Sequence, residues 1–298
     1  MGDTLESLQR RKESAADLDS VVRTMKAMAA SNISWYEMAV KSLQDYYKTV
    51  SLGIYAFFAQ NPAVHHRLFN VNTEYAQKSH QVISIVFGSD QGLVGRFNDS
   101  LASYVEDTLQ KITGKKEAWL VGERMYPVLI DDGFTVEKVF AVPHSMDGIT
   151  SLVNDVLAKI EDALEQKQLH TLYIFYNGPQ PGSGYSPRSI QLLPLDESWQ
   201  QKIVVNNWPT KSPPQVIGDT EKILQALIRE YVFVSIYKAC AESLASENAS
   251  RLEAMQRAEK NIGEMLEEIK QTYNRLRQSS IDEELFDVIS GFEALKKK

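Results

Sequence analysis

Leu18, Val21, Val22, Met25, Met28, Ala29 and Ile33 recur at alternating steps of three and four. That is the apolar stripe of an amphipathic helix. Neither proline nor glycine interrupts residues 3–52. At 1.5 Å rise per residue such a run would be about 70 Å long, so the pattern predicts one helix filling the first region, residues 1–60. The other end of the chain, residues 219–298, reads the same way. Asp219 or Thr220 is a helix N-cap, and Ile223, Leu224, Leu227, Ile228 and Tyr231 follow at helical spacing. Leu252, Met255, Ile262, Leu266, Ile269, Tyr273 and Leu276 then fit a heptad seam. Gly263 interrupts it, but one glycine weakens a helix by about 1 kcal/mol without ending it. Few compact domains need helices of such length, because most helices run about three turns. Two seam-bearing helices at opposite chain ends predict a coiled coil closed by the N- and C-terminal segments.

Between them, residues 75–215 change character. Val82–Gly88 and Thr171–Asn177 are β-rich apolar runs bounded by turn residues, and Ala118–Gly122 and Val136–Val142 are weaker strand signals. Helical patterns over Asn98–Ile112, Arg124–Ile130 and Ile149–Leu164 alternate with them, which predicts a parallel sheet in an α/β domain. Pro179, Pro181, Gly182, Gly184 and Pro187 read as an irregular loop after the last strong strand.

Chemistry is sparse. Gly88, Gly92 and Gly95 lie between a strand and a helix, a common place for phosphate binding. The spacing is not GxGxxG, however, and no Lys-Ser or Lys-Thr follows as in a Walker A loop. A tight structural strand–helix turn is the better reading. His65, His66, His80, His144 and His170 are scattered without metal-ligand spacing. The single cysteine, Cys240, excludes a disulfide scaffold and reads as a small buried residue inside the last helix. Asp131-Asp132 precede Gly133 in a turn, and Asp282-Glu283-Glu284 read as the first turn of a further helical segment, where acids favour the dipole. A net charge of −7 over 298 residues gives no basic field for nucleic acid. The N-terminus has no apolar run of a secretory signal, and the most apolar stretches are too short to span a bilayer. The residues thus predict no catalytic, metal or cofactor site, and a mechanical part.

Three segments resemble the gamma subunit of F-type ATP synthases. The first is Leu5-Glu6-Ser7-Leu8-Gln9-Arg10-Arg11 with Val22-Arg23-Thr24-Met25-Lys26-Ala27-Met28-Ala29-Ala30. The second is Ser89-Asp90-Gln91-Gly92-Leu93-Val94-Gly95-Arg96-Phe97-Asn98. The third is Ala245-Ser246-Glu247-Asn248-Ala249-Ser250-Arg251 leading to Ala254-Met255, then Tyr273-Asn274-Arg275-Leu276-Arg277-Gln278-Ser279-Ser280-Ile281, and later Ile289-Ser290-Gly291. Order and spacing agree from residue 5 to about 294.

The resemblance implies an antiparallel coiled coil of the terminal helices and a central Rossmann-like α/β domain. It implies a non-catalytic central stalk that couples ion translocation through a membrane c-ring to ATP synthesis or hydrolysis in a ring of alpha and beta subunits. An epsilon subunit would be a further partner, and the location would be peripheral, on the cytoplasmic face of a bacterial inner membrane. It places contacts to the catalytic beta subunits on Met25, Arg251, Gln278, Asp282 and Asp287. Asp282 stands where the family has Thr, Asp287 where it has Glu, and Phe292 where a small alanine is usual. Residues 1–50 carry seven basic and seven acidic side chains, whereas the family's first helix is basic. Two other readings stand beside this one: a nucleotide-binding α/β regulator or enzyme using the Gly88–Gly95 loop, and a coiled-coil adaptor.

Overall fold

The computed structural model describes residues 4–62, 81–166, 169, 171–180, 184–195, 208, 210, 212 and 214–296, with side chains through residue 291. The elements in chain order are α1 (Leu5–Gln60), β1 (Gln81–Phe87), α2 (Phe97–Leu109), β2 (Lys115–Val121), α3 (Met125–Asp131), β3 (Thr135–Phe140), α4 (Met146–Glu165), β4 (Thr171–Pro179), β5 (Tyr185–Leu193) and α5 (Thr220–Lys296). Two compact units result, Ser31–Ser250 and Met1–Ala30 with Arg251–Lys298.

In the unit Ser31–Ser250 the strands lie in the order β3-β2-β1-β4-β5. The first four are parallel. The β1 run is buried from Val82 to Phe87, as a strand covered on both faces must be. Its alternate side chains serve two cores. Val82 and Val86 join Leu101 and Val105 of α2, and Met125 and Leu129 of α3. Ile83, Ile85 and Phe87 join Ile149, Val153 and Val156 of α4, Ile54 of α1, and Val234, Ile236 and Ala241 of α5.

The expected sheet was wholly parallel, with a loop after β4. Instead β5 turns back and pairs antiparallel with β4, opposing Ile190 to Ile174 and Pro187 to Asn177. Pro187 obscures this strand in the sequence. A proline is tolerated there because β5 is an edge, where alternate N–H groups have no ladder partner. Pro181 and Gly182 of the expected loop, and the connection around His65 and His66, lie outside the described residues.

Both long helices start on side-chain caps. At α1 the Ser7 amide donates to Thr4 Oγ1 (3.2 Å) and the Thr4 amide to Ser7 Oγ (3.0 Å). At α5 Asp219 Oδ1 accepts the amides of Glu221 (3.0 Å) and Lys222 (3.3 Å). Within Ser31–Ser250 the two helices run antiparallel, with Asn32 Nδ2 donating to Asn248 Oδ1 (3.3 Å) and Tyr46 Oη to Glu230 Oε2 (2.5 Å).

In the other unit the buried positions of α1 are Leu8, Ala15, Val22 and Ala29, spaced by sevens. On α5, Met255 and Ile269 are buried and Leu252, Ile262, Leu266, Tyr273 and Leu276 half-buried, the seam that the spacing predicts. Of the expected α1 stripe, Val22 and Ala29 are buried and Met25 and Ile33 half-buried, but its other three members are not. Leu18, Val21 and Met28 are 57%, 55% and 61% exposed. Apolar residues on α1 form two stripes, and the one containing Ala15 and Ala29 lets the partner helix approach closer. Asp282-Glu283-Glu284 start no new helix either: α5 runs through them unbroken. Gly263 has no atom within 4 Å of where a Cβ would lie. Gly263→Ala should therefore stabilise the chain by about 1 kcal/mol through helix propensity alone, read as a raised urea midpoint.

Candidate functional site

The loop after β1 holds the three glycines. A Cβ at Gly88 would lie 2.7 Å from Met125 Cβ, so β1 and α3 approach there as only glycine allows. Gly95 has φ +56°, in the left-handed region, and Leu93 has φ +62°. Gly92 lies beside the Arg124 guanidinium, with a Cβ site 3.3 Å from its Cζ.

Most polar groups of this loop are spent on the protein itself. Ser89 N–H donates to Asn98 Oδ1 (3.1 Å), and Asn98 Nδ2 donates back to Ser89 Oγ (2.9 Å). The Asp90 carboxylate accepts the amides of Glu123 (2.8 Å) and Val142 (2.7 Å), tying together the ends of β1, β2 and β3. From α5, Ser243 Oγ donates to Phe87 O (3.3 Å) and Ser250 Oγ to Val94 O (2.6 Å). Strand order reverses between β1 and β4, which is where open α/β sheets bind ligands. The Asp90 carboxylate lies on the other side of β1, bound to amides that follow β2 and β3. The Ser243 and Ser250 bonds to carbonyls at the two ends of this loop make it an anchor for α5.

Other candidate chemistry stays dispersed. Cys240 is wholly buried, and that burial, with Glu247 adding to it, pushes its thiol well up, away from the thiolate. His144 is exposed, and the other four histidines lie outside the described residues. Among the described residues no group of three or more His, Cys, Asp or Glu is placed to hold a metal, and no helix is long and apolar enough to cross a membrane.

The residues assigned to partner contacts fall in the unit of Met1–Ala30 and Arg251–Lys298. Met25 is half-buried, Arg251 buried, and Gln278, Asp282 and Asp287 exposed. Gln278 and Asp282 share a face of α5 one turn apart, whereas Asp287 points to the other side at 100° per residue. They form a series along a helix and not a pocket. Beside Met25, Lys26 Nζ donates to Glu259 Oε2 at 2.5 Å, and Arg23 Nε lies 3.5 Å from Glu259 Oε1. The hydrogen bond from Lys26, then the charges of Lys26 and Arg23, holds the Glu259 carboxyl below its ordinary value. The bridge thus contributes above about pH 4.5 and is lost as the pH falls toward the depressed value.

That ion pair also sets the register of the helix pair. Counting equal numbers of residues outward from Lys26 and Glu259 brings Leu5 level with Ser280. Beyond Ser280 α5 has no α1 beside it. Ile281, Leu285, Phe286, Val288 and Ile289 are exposed on this overhang, Phe286 and Val288 to 69% and 70%. Sequence spacing missed this overhang because it lies outside the heptad seam. The unequal lengths of the two helical patterns were the available signal.

A family model described as ATP synthase matches residues 4–295, so the chain is a subunit of that class of machine. It is 30% identical to the ATP synthase gamma chain of a Nitratiruptor species, over 72% of this chain and 73% of that one. It is 24% identical to the gamma chain of Lachnoclostridium phytofermentans, over 98% and 99%. In fold it is similar to a chain of the central stalk and c-ring structure of Tetrahymena thermophila mitochondrial ATP synthase. The TM-score is 0.51 at 17% identity, over 80% of this chain and 99% of that one. A chain of the Euglena gracilis mitochondrial enzyme gives 0.51 at 16% identity, over 93% and 95%. The chain belongs to the ATP synthase gamma chain family, the non-catalytic central-stalk subunits of F-type ATP synthases.

Asp90 is the test of the loop. Asp90→Ala leaves two strand-end amides without their charged acceptor and should cost about 2–3 kcal/mol in urea unfolding, with Asp90→Asn losing less.

Proposed function

We propose that this chain is the rotor shaft of a bacterial F-type ATPase, peripheral on the cytoplasmic face of the inner membrane. Residues 1–60 and 219–298 act as the shaft, and residues 75–215 as the body that meets the epsilon subunit and the c-ring. The shaft turns inside the ring of alpha and beta subunits. It makes different contacts with each beta subunit at each angle, and those differences are the coupling free energy between ion flow and nucleotide affinity. Met25, Arg251, Gln278, Asp282 and Asp287 are the beta-facing residues, placed at several heights so that no single contact carries the torque; Arg251, buried in the chain by itself, offers the least surface of the five. Gly88, Gly92 and Gly95 shape the turn that holds α5 to the body.

The observation that carries this reading is the overhang of α5. A solvated single helix has no reason to expose Ile281, Leu285, Phe286, Val288 and Ile289 together. A surrounding apolar collar gives one. The neutral charge of residues 1–50 implies that the surfaces facing α1 in this complex are less acidic than those facing a basic shaft.

The test uses the chain assembled with its own alpha, beta and epsilon subunits. Phe286→Asp with Val288→Asp changes two exposed positions, so the free chain should keep its thermal midpoint. Each apolar side chain gripped by a collar is worth about 1.5–3 kcal/mol, so ATP turnover of the assembled complex should fall by about tenfold or more. Unchanged turnover, or a chain that never joins alpha and beta subunits, would sink the rotor reading.

A further inference from the structure

A second cluster of ionisable groups lies away from the shaft, where β1, β2, β3 and α4 meet. The Trp119 indole Nε1–H is shared between Glu117 Oε1 (3.0 Å) on β2 and Glu137 Oε2 (2.9 Å) on β3. The remaining oxygens are also engaged. Gln81 Nε2 of β1 donates to Glu117 Oε2 (2.8 Å), and Lys159 Nζ of α4 donates to Glu137 Oε1 (2.7 Å). The Lys159 ammonium lies 4.7 Å over the Trp119 ring. Glu117 is only 8% exposed.

Two carboxylates that converge on one N–H cannot both ionise cheaply in such a place. The groups that face Glu117 are Lys115 on its own strand, Glu137 on β3, Lys159 on α4 reaching it through Glu137, and the neutral Gln81 on β1. Only Lys159 bonds a carboxylate of the pair, and Lys115 acts on Glu117 through its charge alone, as the smallest of the causes. Burial, and then the hydrogen bond to Glu137, raises the Glu117 carboxyl above its ordinary range. Glu137 is held down to about 2, first by the hydrogen bond from Glu117 and then by those from Lys159 and Trp119. The two directions fit one arrangement, a protonated Glu117 donating to an ionised Glu137.

We propose that Glu117 and Glu137 share a single proton carried on Glu117, and that this carboxyl–carboxylate pair is a latch tying the β3 edge of the sheet to β2 and α4. Opening breaks the Glu117 O–H bond and passes the proton to water or hydroxide. The two carboxylates left behind repel each other across one indole N–H. The stabilisation from Glu117 is fully present below the ordinary carboxylate value of 4.5 and is lost as the pH rises through its raised folded-state value. The stabilisation from Glu137 runs the other way, present above 4.5 and lost only toward pH 2. The latch therefore opens as the pH rises through the raised Glu117 value, through Glu117 alone.

The indole N–H resonance of Trp119 in the full chain, assigned by its absence in Trp119→Phe, reports on the pair. It should titrate with one midpoint above 4.5, and the protection of the β3 amides, taken relative to their intrinsic base-catalysed exchange, should fall above that midpoint. In Glu117→Gln the amide replaces the carboxyl at nearly the same shape, and both pH effects should vanish. Lys159→Met keeps both carboxylates but removes the cation that eases their joint ionisation, so the midpoint should rise; this variant carries the test if Glu117→Gln does not fold. A Trp119 resonance that stays flat from about pH 4.5 to about 9 overturns the shared proton. So does an unchanged midpoint in Glu117→Gln, or a midpoint in Lys159→Met that stays or falls.

Discussion

The structure depends on one packing constraint, the burial of the middle of α5 within the sheet unit. From Tyr231 to Ser250 almost every residue of that helix is buried. The stretch is rich in small side chains, among them Ala239, Cys240, Ala241, Ser243, Ala245, Ser246 and Ser250. Small residues let a helix lie close against other elements, and serine hydroxyls can bond backbone carbonyls across that short gap. Ser243 and Ser250 do so, to Phe87 and Val94 of the strand-to-helix loop. The loop that could have bound a phosphate is instead the socket of a helix. Close approaches elsewhere in this loop, to Met125 of α3 and between the Ser89 and Gly122 backbones, explain why Gly88 and Gly122 are glycines. At both, a Cβ would stand 2.7 Å from a neighbouring atom.

The absence of catalytic chemistry and the mechanical role have one origin. An α/β sheet of this order offers a crevice at the reversal between β1 and β4. On the other side of β1, Asp90 spends its carboxylate on amides that follow β2 and β3, which stiffens the three strand ends. A body that must pass torque to a helix needs that stiffness more than it needs a pocket. The surface chemistry of the shaft lies elsewhere, in the exposed second stripe of α1 at Leu18, Val21 and Met28 and in the overhang of α5. These are apolar surfaces that the chain by itself leaves to water.

Much of this was legible in the residues. Unbroken helical spacing foretold α1 and α5, because a long run without glycine or proline has few other outcomes. The β-rich runs foretold β1 and β4, because strands buried on both faces read as continuous apolar segments, while the partly exposed β2 and β3 gave weaker signals. Strand β5 was not legible, since Pro187 speaks locally against a strand and only an open sheet edge excuses it. The buried face of α1 was legible only in part, through Val22 and Ala29. Its two apolar stripes are alike in hydropathy, and only the partner helix distinguishes them. Asp90 was hidden for another reason. It looks like any turn aspartate until Glu123 and Val142 are brought to it from 33 and 52 residues away.

The sequence by itself determined the helices and four of the five strands, that no multi-cysteine site exists, and which family the motifs resemble. These follow from local spacing and side-chain type, which need no partner. The tertiary structure alone decided which α1 stripe is the seam, where α5 outruns α1, and that Glu117 and Glu137 converge on one indole. Each of these is a relation between residues far apart in the chain, and a contact of that kind has no energy until the fold supplies the distance.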